Sequence, residues 1–170
     1  MDKNDVVAVI MGGPSAEREI SLVTGAAIAG ALREKGYNVA EIDLEPKKLA
    51  EQLAACGAKV VFNAVHGMYG EDGRLQTLLE MLEMPYTGSG MLASALGMDK
   101  AASKRILQAA GIATPKALIF VKGEAADYRS KIMSVFQKLP VVIKAATQGS
   151  SIGVEIVDNE ADIDAAVQKA

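Results

Sequence analysis

The sequence predicts an α/β chain in two parts: a parallel sheet wound with helices over roughly the first half, then a mixed α+β unit. Three observations carry this. Val6–Met11 and residues 60–62 are continuous apolar runs that each break into a glycine-rich loop, the pattern of strands buried on both faces. Stretches with helical spacing separate the runs, and alternation of strand and helix builds a parallel sheet through crossover connections. After Gly88-Ser89-Gly90 the regular alternation gives way to shorter strands and helices in mixed order.

Taken in order, Val6–Met11 is the first strand, ended by the Gly12-Gly13-Pro14 turn. Ile20, Val23, Ala27, Ile28, Ala31 and Leu32 recur at helical spacing over about 16–35, with Ser15 placed to cap the start and Gly36 to end the helix. Asn38–Asp43 is the second strand. Leu49, Leu53 and Cys56 line a shorter helix closed by Gly57, and 60–65 is the third strand, which completes a Rossmann-like order. Leu75, Leu78, Leu79 and Leu82 form a helical stripe that stops before Pro85. Gly88-Ser89-Gly90 is a joint, so the expected domains are 1–88 and 89–170. The second begins with two helices, 91–97 and 99–110, followed by strands at 117–121, 141–145 and 153–157 and helices near 125–137 and 159–169.

With 170 residues, half of them hydrophobic, the chain can bury a sizeable core. Eighteen basic and 21 acidic side chains leave a formal charge of only −3, so nothing argues for nucleic acid or an anionic membrane, and a small substrate is expected. Cys56 is the sole cysteine, cannot form an internal disulfide, and reads as a helix-packing residue in a reducing compartment. The first residues lack a signal-peptide layout, and no apolar run approaches the roughly 18 residues of a membrane span, so a cytoplasmic location is expected.

The chemistry concentrates in three stretches. Asn63-Ala-Val-His-Gly-Met-Tyr-Gly-Glu-Asp-Gly73 holds the only histidine, and its glycines let the backbone turn sharply beside a ligand. His66 follows a strand's carboxyl end, where open α/β sheets bind ligands, and its side chain can change charge near neutral pH. In the first loop, Glu17 and Arg18 stand at a helix's first turn beside unpaired N–H groups; Glu17 reads either as an anchor for a ligand's cation or as a residue favouring its own helix dipole. Ala16 and Arg18 occupy positions where a dinucleotide fingerprint needs glycine, and no Gly-Lys-Ser/Thr follows, which argues against NAD and a Walker loop. The third stretch, Gln148-Gly-Ser-Ser-Ile-Gly153, reads either as a plain β-turn or as a hairpin whose N–H and hydroxyl groups wrap phosphate oxygens. Lys144 at a strand end and Lys100 after Met98-Asp99 could neutralise phosphate charge, though each alone also fits a solvated surface lysine.

Together, Gly12-Gly-Pro-Ser-Ala-Glu-Arg-Glu-Ile-Ser-Leu22, the histidine loop with Gln76, Pro85-Tyr-Thr-Gly-Ser-Gly90, Ala95-Leu-Gly-Met-Asp-Lys100, and Lys144 with Gly149-Ser-Ser-Ile-Gly153 closely resemble the D-alanine:D-alanine ligases of the ATP-grasp family. The resemblance covers nearly the whole chain. It implies a Rossmann-like (pre-ATP-grasp) N-terminal domain followed by an α+β partial ATP-grasp domain, the family's third domain having no counterpart here. It also implies ATP-dependent joining of two D-alanines for bacterial cell-wall synthesis: one carboxylate attacks the γ-phosphate of ATP, and the second D-alanine's amine displaces phosphate from the acyl phosphate. By the same resemblance Glu17 holds the first D-alanine's ammonium in a network that includes Ser150, while His66 helps hold the carboxylate or phosphate. Lys100, Lys144 and Ser151 belong to the ATP phosphate site, and the carboxylates for Mg²⁺ lie outside these residues. Ala145 replaces the family's usual proline, which should restore an N–H donor and loosen the turn; Thr147 and Gln148 replace residues that are often charged. Family members usually form homodimers, which leaves this chain's oligomeric state open. These residues alone are expected not to make the dipeptide, and the alternative is a non-catalytic ligand-binding or regulatory module built on the same fold.

Overall fold

The computed structural model describes residues 2–121 and 127–170. The chain divides into two compact units, the first ending at Met98 and the second beginning at Asp99. This division falls later than the Gly88 joint because the helix after the joint packs back on the first unit.

The first unit runs β1 (Val6–Met11), α1 (Arg18–Glu34), β2 (Asn38–Asp43), α2 (Leu49–Cys56), β3 (Ala58–Asn63), α3 (Arg74–Met81) and α4 (Met91–Met98). The strands form a parallel sheet in the order β2-β1-β3, which puts the most apolar strand in the centre. Successive side chains of β1 point to opposite faces. Ala8 and Ile10 pack with Ile42, Leu49, Leu53 and Leu79 on one side, while Val9 and Met11 pack with Ala29 and Ala64 on the other, so the run of consecutive apolar residues serves two layers. Leu49, Leu53 and Leu79 are almost wholly buried, each worth about 1.5–3 kcal/mol relative to exposure. Cys56 is partly buried against the same layer.

Helix α1 corrects the expected stripe. Its buried positions are Ser21, Gly25 and Ala29, while Ile20 and Val23 are 61% and 72% exposed. The helix approaches β1 closely enough that a Cβ on Gly25 would stand 2.4 Å from the Cβ of Met11, so small residues face the sheet. Leu22, Ile28 and Leu32 fill the flanks of that contact. Ser15 does not cap the helix: Glu17 is the N-cap residue, and Ser15 instead accepts the Glu17 N–H on its Oγ and the Arg18 N–H on its carbonyl. Strand β3 starts and ends earlier than the expected 60–65, because the side-chain oxygen of Asn63 takes the Val65 N–H at 3.1 Å and turns the chain out of the ladder. Beyond β3 the segment at Pro85–Thr87 adds a short parallel bridge along Val61. There the Glu80 carboxylate accepts from the Tyr86 hydroxyl at 2.6 Å and the Met91 N–H at 2.9 Å, fastening both sides of the joint to α3. That hydrogen bond pushes the Tyr86 phenol up to about 12.

The second unit contains α5 (Lys100–Ala109), α6 (Tyr128–Phe136), β4 (Val141–Lys144), β5 (Val154–Val157), a single 3₁₀ turn (Glu160–Asp162) and α7 (Ile163–Lys169). β4 and β5 pair antiparallel, and Ile132, Val141, Val157, Ile163 and Ala166 form the core beneath them. Asp99 caps α5 by accepting from the Ala101 and Ala102 N–H groups, and Asn159 accepts from Ala161 at the start of the 3₁₀ turn. The expected strand at 117–121 does not form: Leu118 and Phe120 alternate inward onto the core, but neither β4 nor β5 offers this stretch a ladder. The expected start of the helix at 125–137 lies outside the described residues; its remainder is α6. Among the described residues no helix is long and apolar enough to cross a membrane.

The first loop is clamped from β2. Arg18 donates through both terminal nitrogens to Asp43, at 2.7 and 2.5 Å, and Asp43 also accepts the Gly13 N–H at 3.1 Å. The Arg18 guanidinium, with the Gly13 N–H assisting, holds the Asp43 carboxyl below its ordinary value. A lowered carboxyl pKa contributes stability above the unfolded value, near pH ~4, and the contribution is lost as pH falls through the folded value. Asp43→Asn should therefore lower the melting temperature at neutral pH, with the gap to the parent narrowing below about pH 4. A pH-independent gap in thermal melts would contradict the clamp.

Candidate functional site

β1 and β3 are adjacent parallel strands, so the loops at their carboxyl ends emerge side by side. Ser21, wholly buried on α1, accepts the Gly12 N–H at 2.8 Å and donates to the Ala64 carbonyl at 2.7 Å, tying both loops to one helix. The result brings Glu17 to the histidine loop. A Cβ on Gly67 would stand 2.4 Å from Glu17 Oε2 and 3.0 Å from Ser15 Oγ, so the carboxylate rests directly on the Gly67 α-carbon. Gly67 also holds φ +68°, which favours glycine for a second reason. The Glu17 side chain makes no cap bond to its own helix.

His66, the residue before Gly67, is partly buried. Its Nε2 lies 3.1 Å from Thr24 Oγ1 and its Nδ1 3.7 Å from Glu71 Oε1. The loop beneath it is braced by Gly70, whose carbonyl accepts from both Asn63 Nδ2 at 2.8 Å and Gln76 Nε2 at 2.6 Å. A carboxylate from the first loop thus rests against the residue that follows His66; the one group can accept from an ammonium and the other can donate to an anion. Ser21, Thr24 and Asp43 escaped the sequence reading. The first two share a face of α1 with Gly25, and a polar pair on the small-residue face of an otherwise apolar helix was the available signal.

The second unit holds the remaining candidates. Lys144 ends β4 with its side chain exposed, on the same face as Val142. Val142 pairs with Ile156 and Lys144 with Val154 in the β4–β5 register, and Val142 and Ile156 are 53% and 69% exposed. A cation at the end of an outward apolar strip suits a ligand with a flat ring and an anionic tail, a feature the sequence reading missed. Lys100 does not stand free: its N–H donates to the Ala146 carbonyl and its ammonium to the Gln148 carbonyl, so it secures the segment leading into the glycine loop. In that loop Ser150 adopts φ +51°, uncommon for a residue with a side chain, while Ile152 and Val154 bond back to the Gly149 and Ser151 carbonyls. Ala145 corrects the expectation of a looser turn. Its N–H donates to the Gly153 carbonyl at 2.8 Å, extending the ladder by one bond and closing the loop's base. Among the described residues no group of three or more His, Cys, Asp or Glu side chains is placed to hold a metal ion.

Comparison with known proteins agrees across both units. Residues 45–89 match the family described as "D-ala D-ala ligase N-terminus" and residues 106–170 the one described as "D-ala D-ala ligase C-terminus". The chain is 50% identical over 167 residues to the D-alanine--D-alanine ligase of Moorella thermoacetica and 47% identical over 165 to that of Carboxydothermus hydrogenoformans, covering 96% of this chain in both cases and 54% and 53% of those proteins. A crystal structure of D-alanine--D-alanine ligase from Bacillus anthracis superposes with a TM-score of 0.84 at 36% identity, covering 96% of this chain and 53% of that one. The same protein complexed with ATP gives 0.82 at 34% identity. The chain thus spans about half the length of the curated relatives it matches.

The seating of Glu17 yields a direct test. Gly67→Ala should destabilise the chain by about 1–3 kcal/mol, from the left-handed backbone and from overlap with the carboxylate. With Glu17→Ala in the same chain part of that cost should return, so a double-mutant cycle in urea should show coupling. Additive costs would mean that the carboxylate does not rest on Gly67.

Proposed function

The chain belongs to the D-alanine–D-alanine ligase family, and from that premise we propose that it carries the first-substrate site and part of the nucleotide site of an ATP-dependent ligase. That ligase joins two D-alanines through a D-alanyl phosphate for peptidoglycan precursor synthesis in the cytoplasm. Glu17 takes the ammonium of the first D-alanine and His66 faces its carboxylate, while Ser150 is assigned to the ligase's catalytic residues by the family resemblance. Lys100, Lys144 and Ser151 attend the phosphates of ATP, which supplies the phosphoryl group that activates the carboxylate, with Mg²⁺ as its counterion. The ligase works as a homodimer.

The observation that carries the reading is the Glu17 carboxylate, free of its own helix and seated against the residue that follows His66. A carboxylate held this way is already partly removed from water, which strengthens its hydrogen bonds to an ammonium. The outward strip of Val142 and Ile156 beside Lys144 supports a nucleotide in the second unit, since a base stacks on apolar surface while a cation attracts its phosphates. Phosphoryl transfer depends chiefly on positioning and on such charge, which gives both lysines a role without proton chemistry.

Calorimetric titration with D-alanine tests the first site. Glu17→Gln keeps the shape and removes the charge, and loss of a charged hydrogen bond costs about 1.5–3 kcal/mol, or roughly 10- to 150-fold in affinity. Equal affinity of the two proteins for D-alanine would remove Glu17 from the site.

A further inference from the structure

Ser21 and Thr24 lie three residues apart on α1, where side chains share a face. Ser21 grips the chain at Ala64 and Thr24 reaches His66, so two hydroxyls one turn apart hold two points of the same loop two residues apart. The Thr24 hydroxyl differs from that of Thr77, which bonds back to its own helix through the Gly73 carbonyl at 2.7 Å. Thr24 Oγ1 is turned to the imidazole instead, at 3.1 Å from Nε2.

We propose that Thr24 is a positioning residue: its hydroxyl donates to His66 Nε2 and holds the neutral ring as the Nδ1–H tautomer, leaving Nδ1–H as the donor the imidazole offers a ligand. The other side of the ring agrees. Glu71 Oε1 stands 3.7 Å from Nδ1, beyond a direct hydrogen bond but close enough to favour a proton there over a lone pair. With the proton on Nε2, a lone pair would face the Glu71 carboxylate, and the ring would offer an anionic ligand an acceptor where it needs a donor. Which nitrogen carries the proton is set by the bond the other one makes, and here Thr24 makes that bond. The inference deepens the proposed amino-acid site, because a carboxylate or phosphate reaching His66 requires an N–H.

His66 is the only histidine, so a long-range ¹H–¹⁵N spectrum contains the two nitrogens of a single ring. At about pH 8.5, well above the ordinary histidine value, the parent chain and Thr24→Ser should both show a protonated Nδ1 and an unprotonated Nε2. Thr24→Val, which keeps the shape and removes the hydroxyl, should shift both signals toward the Nε2–H form that an unconstrained imidazole favours. A parent spectrum of the Nε2–H form, or a Thr24→Val spectrum identical to the parent's, would overturn the proposal. If Thr24→Val does not fold, the parent and Thr24→Ser spectra still decide. The measurement is made without ligand, so a failure to bind D-alanine would overturn the site reading while leaving the tautomer result standing.

Discussion

The buried hydroxyl of Ser21 sits between the Gly12 N–H and the Ala64 carbonyl, and the geometry of the first unit's site follows from that pair of hydrogen bonds. Both partners lie just past a strand end, where backbone groups leave the ladder and would otherwise be buried without partners, at a cost of about 1–3 kcal/mol each. By satisfying both from one helix, Ser21 fixes the loop after β1 and the loop after β3 to the same rigid body. Glu17, four residues before it, then has one place to go, and Gly67 provides it. Thr24, one turn later, meets the histidine of the same loop. Close approach of α1 to β1, made possible by Gly25 and Ala29, brings the hydroxyls within reach.

The outer wall of this arrangement is ionic. Arg18 and Asp43 are both partly exposed, so their attraction is screened by water, and the pair matters more for direction than for stability. It draws the first loop toward the end of β2 and holds the Arg18 guanidinium there. The neighbours Glu17 and Arg18 thus divide the work, one facing the histidine loop and the other anchoring the backbone that carries it. In the second unit Lys100 plays a comparable structural part, tying Ala146 and Gln148 to the start of α5 while Lys144 stays exposed beside its apolar strip.

What the sequence made legible were features written in local pattern. Val6–Met11 is apolar at every position because it is the central strand, and Gly57 marks a helix end because it adopts a left-handed conformation there. The loops carrying Glu17 and His66 could be read from glycine placement and from resemblance. What could not be read depended on distance in space. The α1 stripe misled because a helix packed this closely turns its small residues inward, leaving Ile20 and Val23 outside. The stretch 117–121 alternates like a strand, but a strand exists only where another edge receives it. Asp43, Thr24 and the carbonyl that holds Lys100 are long-range partners, invisible to any window of sequence. Ala145 showed the reverse: a substitution that seemed to loosen the turn supplies the hydrogen bond that closes it.

The central claim is that Glu17 and the residue after His66 together form one wall of an amino-acid site. Backbone amide ¹H–¹⁵N spectra of the chain, titrated with D-alanine and separately with L-alanine, address it at the residues concerned. The account predicts saturable shifts with D-alanine that cluster at Ser15–Arg18 and at His66–Gly67, and weaker shifts there with L-alanine. Shifts that avoid both loops, or that appear equally with either enantiomer, would contradict it.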